Sequence, residues 1–411
     1  MEKVIDFAFS VQGHNHIKEH KVCQDASSCF SDERMNIIAV ADGHGGNDYT
    51  RTDRGSAFAV KTAISSTRQF IDTIFTENLD ISADSDQRLE QLAKSILAAW
   101  HSLVDEDLAK HPFIEDELKG VSDKYRERYL SGKMLEKAYG TTLILACVTK
   151  QFWFGLQIGD GKCVVLTSQC ETLEPIPWDD SCQANITTSI CDSEAISEFR
   201  YYFSQDIPLA IFMGSDGIDD SYPSQEEYQS LYRSIVMLFD ENGEDKGKEE
   251  LLNYLPSLSR RGSGDDVTIA GILSPDVFQE KTIQLIKAIN FHSKAVGEHN
   301  RKSSEAKLAT ERLDYTLTAI KRAKAAYDSA LDKEKSAREE VEHSKVAFEE
   351  AEQRLKEAET RLEKAKAAFS HEDDSFADAM PSWDMQDSNP LCCLVNDIQQ
   401  TPLTLDSDSN I

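Results

Sequence analysis

The sequence predicts an α+β protein, sheets covered by helices, followed by one long helix and an acidic tail. Three observations carry this expectation. Up to about residue 300, short β-like runs come in clusters with helical stretches between the clusters. Several runs are separated by only two to five residues, which favours antiparallel hairpins over crossover units. From Arg301 to Phe369 there is no Gly and no Pro, and a seven-residue repeat takes over.

In chain order, the β-like runs are "VIDFAFSV", "SSCF", "MNIIAVA", "TTLILACVT", "FWFGLQI", "CVVLT", "LAIFMGS" and "DVTIAGIL". Helical patterns occupy Asp53–Phe75, Asp86–Ala109, Val121–Lys137, Glu226–Phe239 and Pro275–Ser293. The stretch from His111 to Lys137 is long and charged, and is expected to add a helical cover.

In the repeat, one position reads Leu313, Ile320, Tyr327, Glu334, Val341, Phe348, Leu355, Leu362, Phe369. Three residues on, the next reads Thr316, Ala323, Ala330, Ala337, Ser344, Ala351, Ala358, Ala365. Large residues at one core position and small ones at the other make a coiled-coil seam. The helix would run ~100 Å at 1.5 Å per residue. Such a helix is marginal alone, so a homo-oligomer or a partner helix is expected. Glu334 interrupts the seam, and a hairpin folded back there is the rival. His371 to Ile411 carries nine Asp or Glu and no Lys or Arg, a composition expected to be disordered. Its apolar patch "LCCLV" is a docking-motif candidate.

A net charge of −29 repels nucleic-acid phosphates and anionic lipid, so neither is an expected partner. No apolar run approaches ~20 residues, the length of an ordinary membrane span. The N-terminal MEKVIDFAFS lacks a basic region leading into a long apolar stretch, so no secretory signal is expected. Nine scattered cysteines, mostly in apolar segments, fit free thiols in a reducing cytoplasm.

The chemistry concentrates at strand ends. "NIIAVADGHGG" ends a core run at Asp42 and His44 among glycines, and "QIGDGK" places Asp160 after Ile158. "IFMGSDGIDD" places Asp216 past Met213, with Asp219 and Asp220 behind, and "SGDDVTIAGI" places Asp265 and Asp266 before a run. One acidic turn is unremarkable, but four suggest convergence. Clustered carboxylates repel one another, so a cation should sit among them. Oxygen ligands suit Mg²⁺ or Mn²⁺ rather than zinc.

The order D-G-H-G-G, G-T-T, G-D-G, S-D-G-x-x-D and D-D-V-T, from roughly Glu2 to Leu273, resembles the metal-dependent serine/threonine phosphatases of the protein phosphatase 2C type. The resemblance implies an α-β-β-α sandwich of two antiparallel sheets flanked by helices, with a two-metal site at one edge. Asp42 would bridge two Mn²⁺ or Mg²⁺ ions, and the Gly43 carbonyl would bind one. Asp216 and Asp265 would ligate the other. Asp160 would help hold a weaker third ion, with Asp220 nearby as an outer ligand. Gly43, Gly45 and Gly46 would let the backbone turn sharply and approach an ion. Thr141 and Thr142 would pack structurally. The ions would activate a water for attack on phosphoserine or phosphothreonine in a phosphoprotein. His44 would protonate the leaving oxygen, or orient a water from further out.

Where relatives have Glu-Asp, this chain has Gln24 and Asp25. Asp25 is taken as catalytic, and Gln24 as a metal ligand that contributes no charge. Where many relatives keep an arginine, the chain has His20, with Lys18 or Lys21 as substitutes. These departures keep open an inactive pseudophosphatase that scaffolds phosphoproteins through its coiled coil. The expected boundaries are 1–280 for the catalytic domain, 281–300 for a connecting helix, 301–370 for the coiled coil and 371–411 for the tail.

Overall fold

The β-like runs fold into two five-stranded antiparallel sheets. The computed structural model describes residues 4–182 and 186–369. The acidic tail and its "LCCLV" patch therefore lie outside the described residues.

Element order is β1 (Ile5–Val11), α1 (His14–Glu19), β2 (Ala26–Ser31), β3 (Asn36–Ala41), α2 (Thr52–Glu77), α3 (Ser85–Lys110) and α4 (Asp123–Leu130). Then come β4 (Leu143–Val148), β5 (Trp153–Ile158), β6 (Lys162–Leu166), β7 (Thr172–Leu173), α5 (Ala195–Glu198), β8 (Arg200–Ser204) and β9 (Ala210–Gly214). The order closes with α6 (Asp216–Asp219), α7 (Gln225–Arg261), β10 (Val267–Leu273) and α8 (Glu280–Phe369). One sheet runs β1-β10-β9-β6-β7 and the other β2-β3-β4-β5-β8.

Side-chain alternation builds four layers. Ile38 and Val40 of β3, with Ile144 and Ala146 of β4, face Val165, Ile211, Met213 and Ala270 of the opposite sheet. Their neighbours Ile37, Ala39, Leu143 and Leu145 point the other way, onto Ala59, Ala63, Leu92 and Ile96 of α2 and α3. On the far side, Phe7, Phe212 and Ile269 meet Tyr232, Val236 and Leu255 of α7 and Ile283 and Ile286 of α8. Strands covered on both faces read as unbroken apolar runs, which is why these were legible. The α-β-β-α sandwich expected from the resemblance is what forms.

Three helical patterns differ in detail. Val121–Lys137 is not one helix, because α4 stops at Leu130 and a 3-10 turn follows at Leu135–Tyr139. Gly132 (φ +74°) and Met134 (φ 51°) hold left-handed backbone between them. Glu226–Phe239 continues to Arg261 across a break at Gly243, with φ 74° and ψ −177°. Pro275–Ser293 begins as a 3-10 turn, and α8 then starts at Glu280.

The chain forms two units, one ending at Leu308 and the other beginning at Ala309. In the second unit the described side chains of α8 are all exposed. Leu313, Ile320, Tyr327, Phe348, Leu355 and Leu362 are among its exposed apolar residues. Pairs one turn apart, such as Arg338–Glu334 at 2.6 Å, lace the helix.

Candidate active site

Antiparallel pairing gathers the acidic strand ends at one end of the sandwich. Ala41 at the end of β3 pairs with Ala26 at the start of β2, so Asp42 and Asp25 flank one rung. Gly43 bridges to Thr141 ahead of β4, and Leu143 pairs with Ile158, which brings the Asp160 turn to the same end. In the other sheet Gly214 pairs with both Lys162 and Ile269. Asp216 and the Asp265–Asp266 pair therefore emerge beside that turn.

The mounts are rigid. Asp42 accepts through its carbonyl from Thr142 N–H at 2.8 Å and Thr141 Oγ1 at 2.7 Å. Its own N–H donates to Thr142 Oγ1 at 3.0 Å. The two threonines thus serve the backbone, as expected. Asp266 is buried and accepts from Gly13 N–H at 2.5 Å and Gln24 N–H at 2.6 Å. His16 stands between the paired aspartates, Nδ1 at 2.9 Å from Asp266 and Nε2 at 3.6 Å from Asp265. A Cβ on Gly13 would lie 2.3 Å from the Asp265 carbonyl carbon, and one on Gly217 2.0 Å from the Asp266 oxygen. Only glycine allows that approach. Gly43 is packed as tightly, a Cβ there lying 2.4 Å from the Gln24 carbonyl oxygen, and positive φ among the described glycines falls at Gly132, Gly159, Gly243 and Gly264 rather than at Gly43, Gly45 or Gly46. The sharp turn expected of them is made without it.

The carboxylates act on one another. Burial, then the charges of Asp25 and Asp216, hold Asp42 well above the usual carboxylate range, and Asp160 adds to this. Burial pushes Asp25 up to about 8, with the Asp266 charge second. Burial raises Asp216 to about 6, while a hydrogen bond from Asp42 works the other way and Asp160, Asp265 and Asp220 add repulsion. Asp160 is raised by burial and by Asp220, with Lys162 opposing. Asp219 rises to about 7 through burial. Asp25, Asp42, Asp160, Asp216, Asp220 and Asp265 are thereby linked in one electrostatic cluster, and Gln24 borders it.

Buried oxygens of Gln24 (Oε1), Asp25 (Oδ2) and Asp219 (Oδ1) have no hydrogen-bond partner. Unpartnered buried oxygens are costly, and a hard divalent cation is the partner that would satisfy them. The donor set fits Mg²⁺ or Mn²⁺. Ligand atoms of His16, Asp265 and Asp266 also lie within 4.8 Å of one another. Both Asp266 oxygens already accept backbone N–H groups, so that trio reads as a clamp.

His44 Nε2 lies 2.7 Å from Ser189 Oγ, and its ring meets Tyr49 edge-on at 4.6 Å. Burial, then the Lys137 charge, lower its pKa to about 4. His20 is exposed in a left-handed cap, and Lys21 Nζ is 2.8 Å from Glu19. The cation acting on Asp160 and Asp219 is Lys162. Sequence reasoning passed over His16, Asp266 as a clamp, Lys137, Lys162 and Ser189. Lys162 could have been found from its place in "GDGK"; Ser189 has no local signature.

The family profile described as protein phosphatase 2C matches residues 12–256. Among solved structures, a serine/threonine phosphatase from Staphylococcus aureus is similar at 17% identity and TM-score 0.42, covering 66% of this chain and 95% of that one. One from S. agalactiae matches at 17% identity and TM-score 0.40, covering 66% of this chain and 100% of that one. No curated protein matches. The profile spans well over half of the chain, and the chain belongs to the protein phosphatase 2C family.

Proposed function

We propose that the protein hydrolyses phosphoserine and phosphothreonine on proteins in a metal-dependent reaction. The observation that carries this reading is the convergence of six aspartates from distant segments on one sandwich end, with buried oxygens there that lack partners. Asp42, Asp160, Asp216, Asp220, Asp265, the Gly43 carbonyl and Gln24 would hold two Mn²⁺ or Mg²⁺ ions and, more weakly, a third. Bound ions supply a water nucleophilic at neutral pH and offset charge on the phosphoryl oxygens.

The chain's own residues do the rest. Asp25, whose carboxyl is raised by burial and then by the Asp266 charge, is the carboxylate we assign to proton transfer. His44 begins neutral and passes a proton to the leaving serine or threonine oxygen only after receiving one. Holding that ring is therefore as important as its acidity. The alternative of an inert phosphoprotein scaffold finds no support in the family match.

Residues 301–369 would pair with a second copy or a partner helix, as the exposed heptad face suggests. We retain the division into catalytic domain, connecting helix, coiled coil and tail on the same grounds. Among the described residues no helix is long and apolar enough to cross a membrane, and cytoplasmic residence is our reading from the free thiols.

Hydrolysis of p-nitrophenyl phosphate and a phosphothreonine peptide, with Mn²⁺, with Mg²⁺ and with chelator, tests the proposal. Activity should require the metal, and Asp42→Asn or Asp216→Asn should lower it at least ~100-fold. Metal-independent turnover, or near wild-type rates in either variant, would refute it.

A further inference from the structure

We propose that α8 pairs with α8 of a second copy in antiparallel orientation, with Phe348 of each chain seated against Ala330 of the other. This rests on the reading above that residues 301–369 associate, and it fixes both the occupant and the direction.

The seam carries one large and one small position in each heptad, and its large residues are exposed, Phe348 by 69% and Leu355 by 60%. The direction of a partner decides which positions meet. In a parallel, in-register pair each core position faces its own copy. Layers of two large residues, such as Phe348 with Phe348, would then alternate with layers of two alanines, such as Ala351 with Ala351. Layers follow one another every ~5 Å along the axis, so the large ones hold the backbones apart and the alanine layers go unfilled. In an antiparallel pair the large position faces the small one. With a twofold axis beside Glu339, Leu313 meets the partner's Ala365, Phe348 the partner's Ala330 and Leu355 the partner's Ala323. From Leu313 to Ala365 every layer except that of Glu334 then holds one large and one small side chain, at one backbone spacing. Each contact occurs twice, as a twofold interface requires. Read backwards, the small position of this helix is the complement of its own large position.

The polar residues favour the same direction. In a parallel pair Glu334 would face Glu334 inside the seam, whereas here it faces the partner's Ser344, whose hydroxyl can donate to a carboxylate. Beside the seam, Lys324 comes next to the partner's Glu352, again twice. Like charges meet only at the axis, where Arg338 and Glu340 each face their own copy, and Arg338 is already paired with Glu334 of its own helix at 2.6 Å. A parallel pair would set Lys333 beside Arg338 and Arg361 beside Lys366, offsetting its Glu340–Lys345 and Arg354–Glu359 pairs. A shallow groove between Ala337, Val341, Ser344 and Phe348 lies at the axis, where the partner's Val341 and Ala337 would enter.

The test uses full-length protein with p-benzoylphenylalanine in place of Phe348, prepared as an equal mixture of ¹⁴N and ¹⁵N chains and irradiated. Light scattering should give a dimer, and the crosslink should join the Phe348 peptide of one isotope to the Ala330 peptide of the other. Within one straight helix those two residues lie ~27 Å apart at 1.5 Å per residue, beyond the reach of the label. A crosslink to the Phe348 segment of the other chain means a parallel pair and overturns the orientation alone. A crosslink to Ala330 confined to single-isotope products means a hairpin, and a monomer at micromolar concentration leaves a foreign helix as the occupant. Either result overturns the pairing of copies. Ala330→Leu supplies an independent sign. It keeps helix propensity, overfills two layers of the antiparallel pair and should raise the dimer dissociation constant at least ~tenfold. Turnover of p-nitrophenyl phosphate should not change. A tighter dimer, as expected where leucines fill an Ala–Ala layer, would overturn the proposal.

Discussion

Asp266 accepts the backbone N–H of Gln24 at 2.6 Å across 242 residues of sequence. The same carboxylate takes Gly13 N–H at 2.5 Å. A residue expected only to accompany Asp265 thus staples the segment leading into β2 of one sheet to the start of β10 in the other. Gln24 and Asp25 owe their position to it.

Removing the staple should loosen the whole site edge. Asp266→Ala leaves the buried Gly13 N–H and the part-buried Gln24 N–H without their acceptor, and bonds to charged acceptors contribute ~1.5–3 kcal/mol each. Urea unfolding should show a loss of about 3 kcal/mol or more. Asp266→Asn, which keeps one acceptor oxygen, should lose less.

The raised carboxylates set a pH dependence for the metal-free protein. Groups whose folded pKa is raised hold protons that the unfolded chain releases. Their contribution is full below the ordinary carboxylate pKa and is lost as pH rises through about 6 for Asp216, 7 for Asp219 and 8 for Asp25. His44, lowered to about 4, opposes this only below the ordinary histidine pKa. Between pH 6.5 and 8.5 the Tm in chelator should therefore fall, and saturating Mg²⁺ should reverse the trend. A Tm that rises over this interval in chelator would contradict the clustering.

Gln24→Glu should tighten metal binding, because it adds a charge beside an oxygen that now has no partner. The measurement is the Mn²⁺ concentration giving half-maximal activity, expected to fall. An unchanged or higher value would place Gln24 away from the ions.

Deleting Arg301 to Ile411 should leave hydrolysis of small substrates intact and convert an oligomer to a monomer by light scattering. The exposed Phe348, Leu355 and Leu362 are the residues such association would cover. A full-length protein already monomeric at micromolar concentration would rule out self-association.

Much of this was readable in advance, for physical reasons. Strands buried on both faces announce themselves as apolar runs, and Asp42, Asp160, Asp216 and Asp265 stood out because glycines flank each at a run's end. Strand β8, "RYYFS", was missed because it is a half-buried edge strand with no clean alternation. Strand β7, two residues long, is too short for any pattern. His16 and Ser189 were missed for a different reason. Each matters through contacts with residues far away in sequence, Ser189 with His44 and His16 with Asp265 and Asp266, and no local periodicity encodes such a meeting.

Gly13 and Gly217 press on the Asp265–Asp266 backbone so closely that a single methyl group on either would collide with it. That closeness limits what an engineer could borrow. Copying "GDDVT" onto another scaffold would transplant the carboxylates without the two distant glycines that leave room for their peptide. The graftable unit is three separated segments together, and random drift at either glycine would have to be answered by backbone movement at the acidic pair.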